Sequence, residues 1–174
     1  MTVSEAFCAA ALRGDAKAVE KSILAGVDVN LPCAVDNETA TTLYIASRLG
    51  HTDCIEVLLR EGAAVNSPEG RPAFPGETAL HAAAGWGQTE TVELLLRMGA
   101  NASQGNAQAF LPLHNAAMWG HLKVVEVLLE ASVDINSRSS NGWTPIHRAA
   151  TSGEVESVRL LLERGADATI ATNE

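Results

Sequence analysis

The sequence predicts an all-α solenoid, built from about five helix-turn-helix repeats with hairpin-like loops between them. Three observations carry this. First, one sequence frame recurs. Asn141-Gly-Trp-Thr-Pro-Ile-His-Arg-Ala-Ala-Thr-Ser-Gly matches Leu111-Pro-Leu-His-Asn-Ala-Ala-Met-Trp-Gly-His, Thr78-Ala-Leu-His-Ala-Ala-Ala-Gly-Trp-Gly and Thr41-Thr-Leu-Tyr-Ile-Ala-Ser-Arg-Leu-Gly-His, with a fainter copy at Phe7-Cys-Ala-Ala-Ala-Leu-Arg-Gly. Second, the closing glycines Gly14, Gly50, Gly87, Gly120 and Gly153 are separated by 36, 37, 33 and 33 residues, and a fixed period of this size marks a repeat array. Third, the chain is 47% hydrophobic but only 4% aromatic. Alanine and leucine supply most of the apolar content, which suits closely packed thin helices rather than one thick core.

Each element of the repeat follows from its residues. Thr144 is placed to cap a helix through its hydroxyl, and Pro145 follows at the first helical position, where a missing N–H costs nothing. Thr78 keeps the cap with Ala79 in place of proline. The pairs Ala10/Ala11, Ala83/Ala84, Ala116/Ala117 and Ala149/Ala150 let neighbouring inner helices approach closely. The closing glycines then end the inner helix in a left-handed conformation. An outer helix follows with an apolar stripe at helical spacing, as in Val124, Val125, Val127, Leu128 and Leu129. Gly62, Gly99 and Gly165 end it, and the chain passes through stretches such as Gly-Ala-Ala-Val-Asn (62–66) into a hairpin-like loop.

This pattern resembles the ankyrin repeat over about residues 4–170. The Thr-Pro-Leu-His, Ala-Ala, Gly-His, Val-Val-x-Leu-Leu-Leu and Gly-Ala-Asp-Val-Asn elements of that family are distributed over the copies. A single domain spanning 1–174 is expected, with repeats at roughly 4–30, 36–66, 73–103, 106–136 and 139–169. The resemblance implies inner helices lining a concave face, outer helices on a convex back and projecting loops. It also implies that loop asparagines are candidates for hydroxylation. Leu128-Leu-Glu-Ala-Ser-Val-Asp-Ile-Asn136 resembles the preferred context, so Asn136 is the possible hydroxylation site; the alternative is an asparagine bonding its own turn.

Departures from the pattern are informative. Lys21 and Ser22 stand where later copies have Val57/Leu58, Leu94/Leu95, Val127/Leu128 and Leu160/Leu161, as suits a terminal repeat whose outer side faces water. The last repeat keeps the interior pattern in Val155, Val158, Leu160, Leu161 and Leu162, so either its far flank is an exposed apolar surface or further chain beyond Glu174, or a partner, covers it; cover is the expectation. The linkers before Thr41 and Thr78 are longer than the others, and the second, Ser67-Pro-Glu-Gly-Arg-Pro-Ala-Phe-Pro-Gly, is expected to project stiffly.

Composition excludes several functions. A net charge of −9 argues against non-specific nucleic-acid binding, which needs cations to neutralise phosphates. No apolar run approaches the ~20 residues of a spanning helix, and the N-terminus lacks the features of a secretory signal. Cys8, Cys33 and Cys54 are expected to be reduced thiols of a cytoplasmic or nuclear protein. His81, His114 and His147 recur in one slot, with Tyr44 and Cys8 in the same slot of the first two copies. Packed helices hold such residues roughly 10 Å apart, too far to share a metal, so each histidine is expected to bond the helix cap and the neighbouring loop. There is no phosphate-cradling loop, dinucleotide fingerprint or nucleophile–base constellation, so no enzyme, metal or small-molecule cofactor is expected.

The aromatics and their neighbours mark the expected partner-binding surface. Trp86 and Trp119 fall just before the closing glycine, in the slot that Leu49 holds one repeat earlier. Met118 lies beside Trp119, and Arg48 holds the matching place in the second repeat. Phe110 and Trp143 share with Glu77 the slot before the cap, and Phe74 lies on the long loop. Large apolar groups in variable, exposed slots point to recognition. Arg13, Arg48, Glu38 and Glu77 are expected to add polar selectivity, while Glu56, Glu90, Glu93, Glu126, Glu130, Glu154, Glu156 and Glu163 lie on the outer helices as a solvated back. The function expected is non-enzymatic binding of a protein partner. The alternative is a targeting or regulatory segment of a longer enzyme or channel.

Overall fold

The computed structural model describes residues 2–35, 38–69 and 75–173. Ten helices form five antiparallel pairs among them: α1 (Val3–Arg13) with α2 (Ala16–Leu24), α3 (Thr42–Leu49) with α4 (Thr52–Arg60), α5 (Ala79–Gly85) with α6 (Thr89–Arg97), α7 (Pro112–Met118) with α8 (Leu122–Glu130), and α9 (Pro145–Thr151) with α10 (Val155–Glu163). The odd-numbered inner helices stack on one another, and the even-numbered outer helices form a second layer behind them. The long first linker folds into a hairpin, β1 (Pro32–Val35) and β2 (Glu38–Thr41), with Cys33 opposite Ala40.

The core lies between the two helix layers and runs the length of the array. Phe7, Leu43, Leu80, Leu113 and Ile146 of the inner helices face Val19, Ile55, Val92, Val125 and Val158 of the outer ones; all but the half-buried Val158 are buried. Leu58, Leu95, Leu128 and Leu161 add a further buried row. The same row in the first repeat holds Ser22, which is buried rather than facing water as expected; its Oγ–H donates to the Ala18 carbonyl at 2.9 Å. Lys21 is exposed. In the last repeat Val155 and Leu162 are exposed while Leu161 is buried.

The closing glycines show why this slot excludes other residues. Gly87 has φ +71°, and a Cβ there would lie 2.7 Å from Nδ1 of His121, the residue that caps the next outer helix. Both the left-handed backbone and the overlying ring therefore favour glycine.

The alanine pairs set the spacing of the stack. Ala83, Ala84, Ala116 and Ala117 have no exposed surface. Ala150 is exposed on the last inner helix among the described residues, so it does not serve there the packing expected of it. Ala117→Leu is expected to destabilise the protein by ~1–3 kcal/mol through overpacking, read as a lower urea midpoint. Glu93→Gln on an exposed stretch of α6 is the silent control. Glu126 serves less well as a control, because it pairs with Lys123 at 3.0 Å and with Arg164 of the next repeat at 2.8 Å.

The three cysteines depart from expectation. Cys8 and Cys33 form a disulfide joining α1 to β1, and only Cys54, on the buried face of α4, is free. Odd number and spacing hid the pair, because the bridging geometry arises only when the extended linker folds back on the first inner helix. The compartment argued from three reduced thiols loses that basis. Burial, with Asp15 and Asp53 nearby, pushes the Cys54 thiol up to about 11, so it is unreactive in the fold.

Candidate recognition groove

The slot occupied by histidine in three repeats ties each inner helix to the linker that follows it. His81 Nε2–H donates to the Phe110 carbonyl at 2.9 Å, and His114 Nε2–H to the Trp143 carbonyl at 3.1 Å. A carbonyl partner requires the Nε2–H tautomer, which leaves Nδ1 as an acceptor. That Nδ1 takes the backbone N–H of the cap residue: Thr78 at 3.1 Å, Leu111 at 3.0 Å and, for His147, Thr144 at 3.1 Å. The expected cap therefore runs the other way. The hydroxyls of Thr78 and Thr144 meet the histidine rings instead of a helix N–H, and Leu111 shows that the ring suffices without a hydroxyl. Burial holds His81 and His114 down to about 4, against the opposing pull of their carbonyl partners.

Where the slot lacks histidine, other residues take over its two tasks. Tyr44 cannot accept the cap N–H, and the buried Glu69 does so instead, binding Thr41 N–H at 3.0 Å and its hydroxyl at 2.6 Å. Tyr44 Oη–H donates to Glu77 Oε2 at 2.9 Å, and Asn115 Nδ2–H donates to Glu77 Oε1 at 2.6 Å. Glu77 is thus only 4% exposed and is a buried joint, not the loop-tip selectivity residue expected. In the first repeat the tie is covalent, through Cys8 and Cys33.

These ties hold a groove along the inner helices. Trp86 and Trp119 are the C-cap residues of α5 and α7, 61% and 56% exposed on consecutive repeats. Between them lies a cavity of about 340 Å³ lined also by Met118, Tyr44, Glu77 and Arg148. Arg48 lies 5.9 Å from the centre of the Trp86 ring. A second cavity of about 300 Å³ continues past Glu77, Asn115 and Arg148 to Phe110 and Asn141. Phe110 is half-buried, edge-on to His114 at 5.3 Å and stacked under the Arg148 guanidinium at 4.5 Å.

The expected partner-binding residues are therefore only partly assembled. Trp86, Met118 and Trp119 share one cavity, Arg48 lies against Trp86 without lining it, and Phe110 lines the adjoining one. Leu49 is exposed in the same row but lines neither cavity. Trp143 is half-buried, tilted against His147 at 6.3 Å and outside both. Arg13 is exposed at the end of α1. Phe74 and the side chain of Glu38 lie outside the described residues.

Sequence reasoning missed Tyr44, Asn115 and Arg148. The signal was the slot shared by Ile45, Ala82, Asn115 and Arg148, which turns from apolar to polar only in the last two repeats.

Asn136 is half-buried. Its Oδ1 accepts from the Asp167 N–H of the next repeat at 2.9 Å, as Asn30 accepts from Ala64 and Asn66 from Asn101. The asparagines thus bond the following turn rather than their own.

No group of three ligating side chains able to hold a metal occurs among the described residues. None of their helices is long and apolar enough to cross a membrane. No curated protein matches the chain. The family model described as ankyrin repeats (3 copies) matches residues 7–106 and 99–172. With ten paired helices repeating one cap, one alanine pair and one closing glycine, the chain belongs to the ankyrin-repeat family.

Proposed function

We propose that the chain is a non-enzymatic recognition module that holds a partner protein in its concave groove, with Trp86 and Trp119 as the anchors. The observation that carries this is the pair of indoles, each more than half exposed on a rigid repeat and facing one cavity. Tryptophan is enriched at binding hot spots, and exposed apolar rings flanking a cavity gain most when a partner desolvates them. The groove is preformed, so binding orders little backbone. The exposed carboxylates Glu90, Glu93, Glu156 and Glu163 lie on the outer helices, and the net charge of −9 disfavours nucleic acid as the partner.

Affinity capture from source lysate with the intact chain and with a Trp86→Ala/Trp119→Ala variant tests the reading. Proteins retained by the first and lost by the second are the expected result. For such a partner each single truncation should weaken binding by ~2 kcal/mol or more, roughly thirtyfold, with the melting temperature unchanged. Glu93→Lys on the back should leave affinity unchanged. Recovery of the same proteins by both chains, or a large fall in melting temperature with binding intact, would make the rings structural.

A further inference from the structure

We infer that the groove takes an extended protein segment bearing a side-chain carboxylate next to an aliphatic or aromatic residue, the carboxylate pairing with Arg148 and the apolar group lying between Trp86 and Trp119. The inference rests on the recognition reading above and names the chemistry of its ligand.

Arg148 is the unfinished element of the groove. It is half-buried, and its Nε is buried with no hydrogen-bond partner among the described residues. Its Nη2 donates to the Met118 thioether, a weak acceptor, and its flat face lies on Phe110. A buried guanidinium N–H without an acceptor is costly, and a carboxylate matches the fork of donors that the rest of the group offers. The nearest candidate within the protein, Glu77, pulls on the guanidinium charge through space but gives its two oxygens to Tyr44 and Asn115.

The surrounding charge favours the same ligand. Arg48 stands over Trp86. A cationic ligand would find one indole face already occupied and Arg148 beside it. The carboxylates of the outer helices line neither cavity, and Glu77, which lines both, is bonded to Tyr44 and Asn115. Both cavities share Glu77, Asn115 and Arg148. A segment whose carboxylate reaches Arg148 therefore has lining on either side of it. This fits a side chain within a continuous segment rather than a chain end, and the exposed Gln108 lines the second cavity where a backbone would pass.

The test selects random peptides displayed on phage against the intact chain, with counter-selection on the Trp86→Ala/Trp119→Ala variant. The recovered peptides are expected to share an aspartate or glutamate at fixed spacing from a leucine, isoleucine or aromatic residue. Changing that acid to its amide in the synthetic peptide should weaken binding to the intact chain about tenfold or more. The same change should matter little on Arg148→Gln, whose folding is checked by its melting curve. The amide substitution leaves the protein untouched, so the comparison survives if Arg148→Gln is less stable. Groove-dependent peptides without a carboxylate, peptides that require lysine or a free C-terminus, or an equal loss on both proteins would overturn the inference and leave the recognition reading standing. A selection that yields no peptide dependent on the two indoles would overturn both.

Discussion

Acidification from pH 6.5 towards 4 is expected to cost the fold about 3 kcal/mol at each of His81 and His114. Both rings are buried, and burial lowers them from 6.5 to about 4. In the fold they stay neutral, Nδ1 accepting the cap N–H and Nε2–H donating to the next linker. In the unfolded chain they take up protons near 6.5. Within that window the unfolded state binds more protons, so stability falls as pH falls. The histidine contribution is complete above 6.5 and lost at about 4. Protonating Nδ1 would also turn an acceptor into a second donor facing the cap N–H, and for His114 the charge of Arg148 adds to the penalty. Urea midpoints across the window should drop steeply for the native sequence and less steeply for His81→Gln/His114→Gln. Identical slopes would place the acid sensitivity elsewhere.

The parts of this protein that repeat were legible in its sequence, because a repeat presents the same physical requirement several times. The alanine pairs, the closing glycines and the apolar stripes each answer one local demand of close approach, left-handed backbone or helical burial. The histidine slot was legible as a tie between cap and loop for the same reason. What escaped were the positions where the repeat is broken and a partner distant in the chain makes good the loss. Nothing near Tyr44 announces that Glu69 will cap its helix or that Glu77 will receive its hydroxyl. Glu77 looked like a loop tip because its slot holds Phe110 and Trp143 elsewhere, yet a carboxylate between a tyrosine and an asparagine is drawn inward. Arg148 was obscured by its own helix, where its neighbours read as ordinary core. The groove itself was half legible: the slot of Trp86 and Trp119 predicted their exposure, but the polar floor between them depends on contacts across three repeats.

Reduction of the Cys8–Cys33 disulfide is expected to loosen the first repeat by about 3 kcal/mol, from the loop entropy of a 25-residue separation. The size of the effect follows from position as well as loop length. In a solenoid each repeat is held by its neighbours, and among the described residues the first repeat packs on the second. The first repeat also carries the buried polar Ser22 where its neighbours carry leucine. The disulfide stands in for the hydrogen bonds that later repeats make from the same slot. Cutting it should free the β1–β2 hairpin from α1 while leaving α7 to α10 as they are. Hydrogen exchange should therefore speed up over 3–24 and 32–41 in reduced protein, or in Cys33→Ser, with little change beyond residue 106. A non-reducing peptide map should show the 8–33 pair, with Cys54 alkylated only after unfolding. Free alkylation of Cys8 and Cys33 in native, unreduced protein would show that the bridge does not form. A uniform fall in protection along the whole chain would show that the array unfolds as one unit rather than fraying from its first repeat.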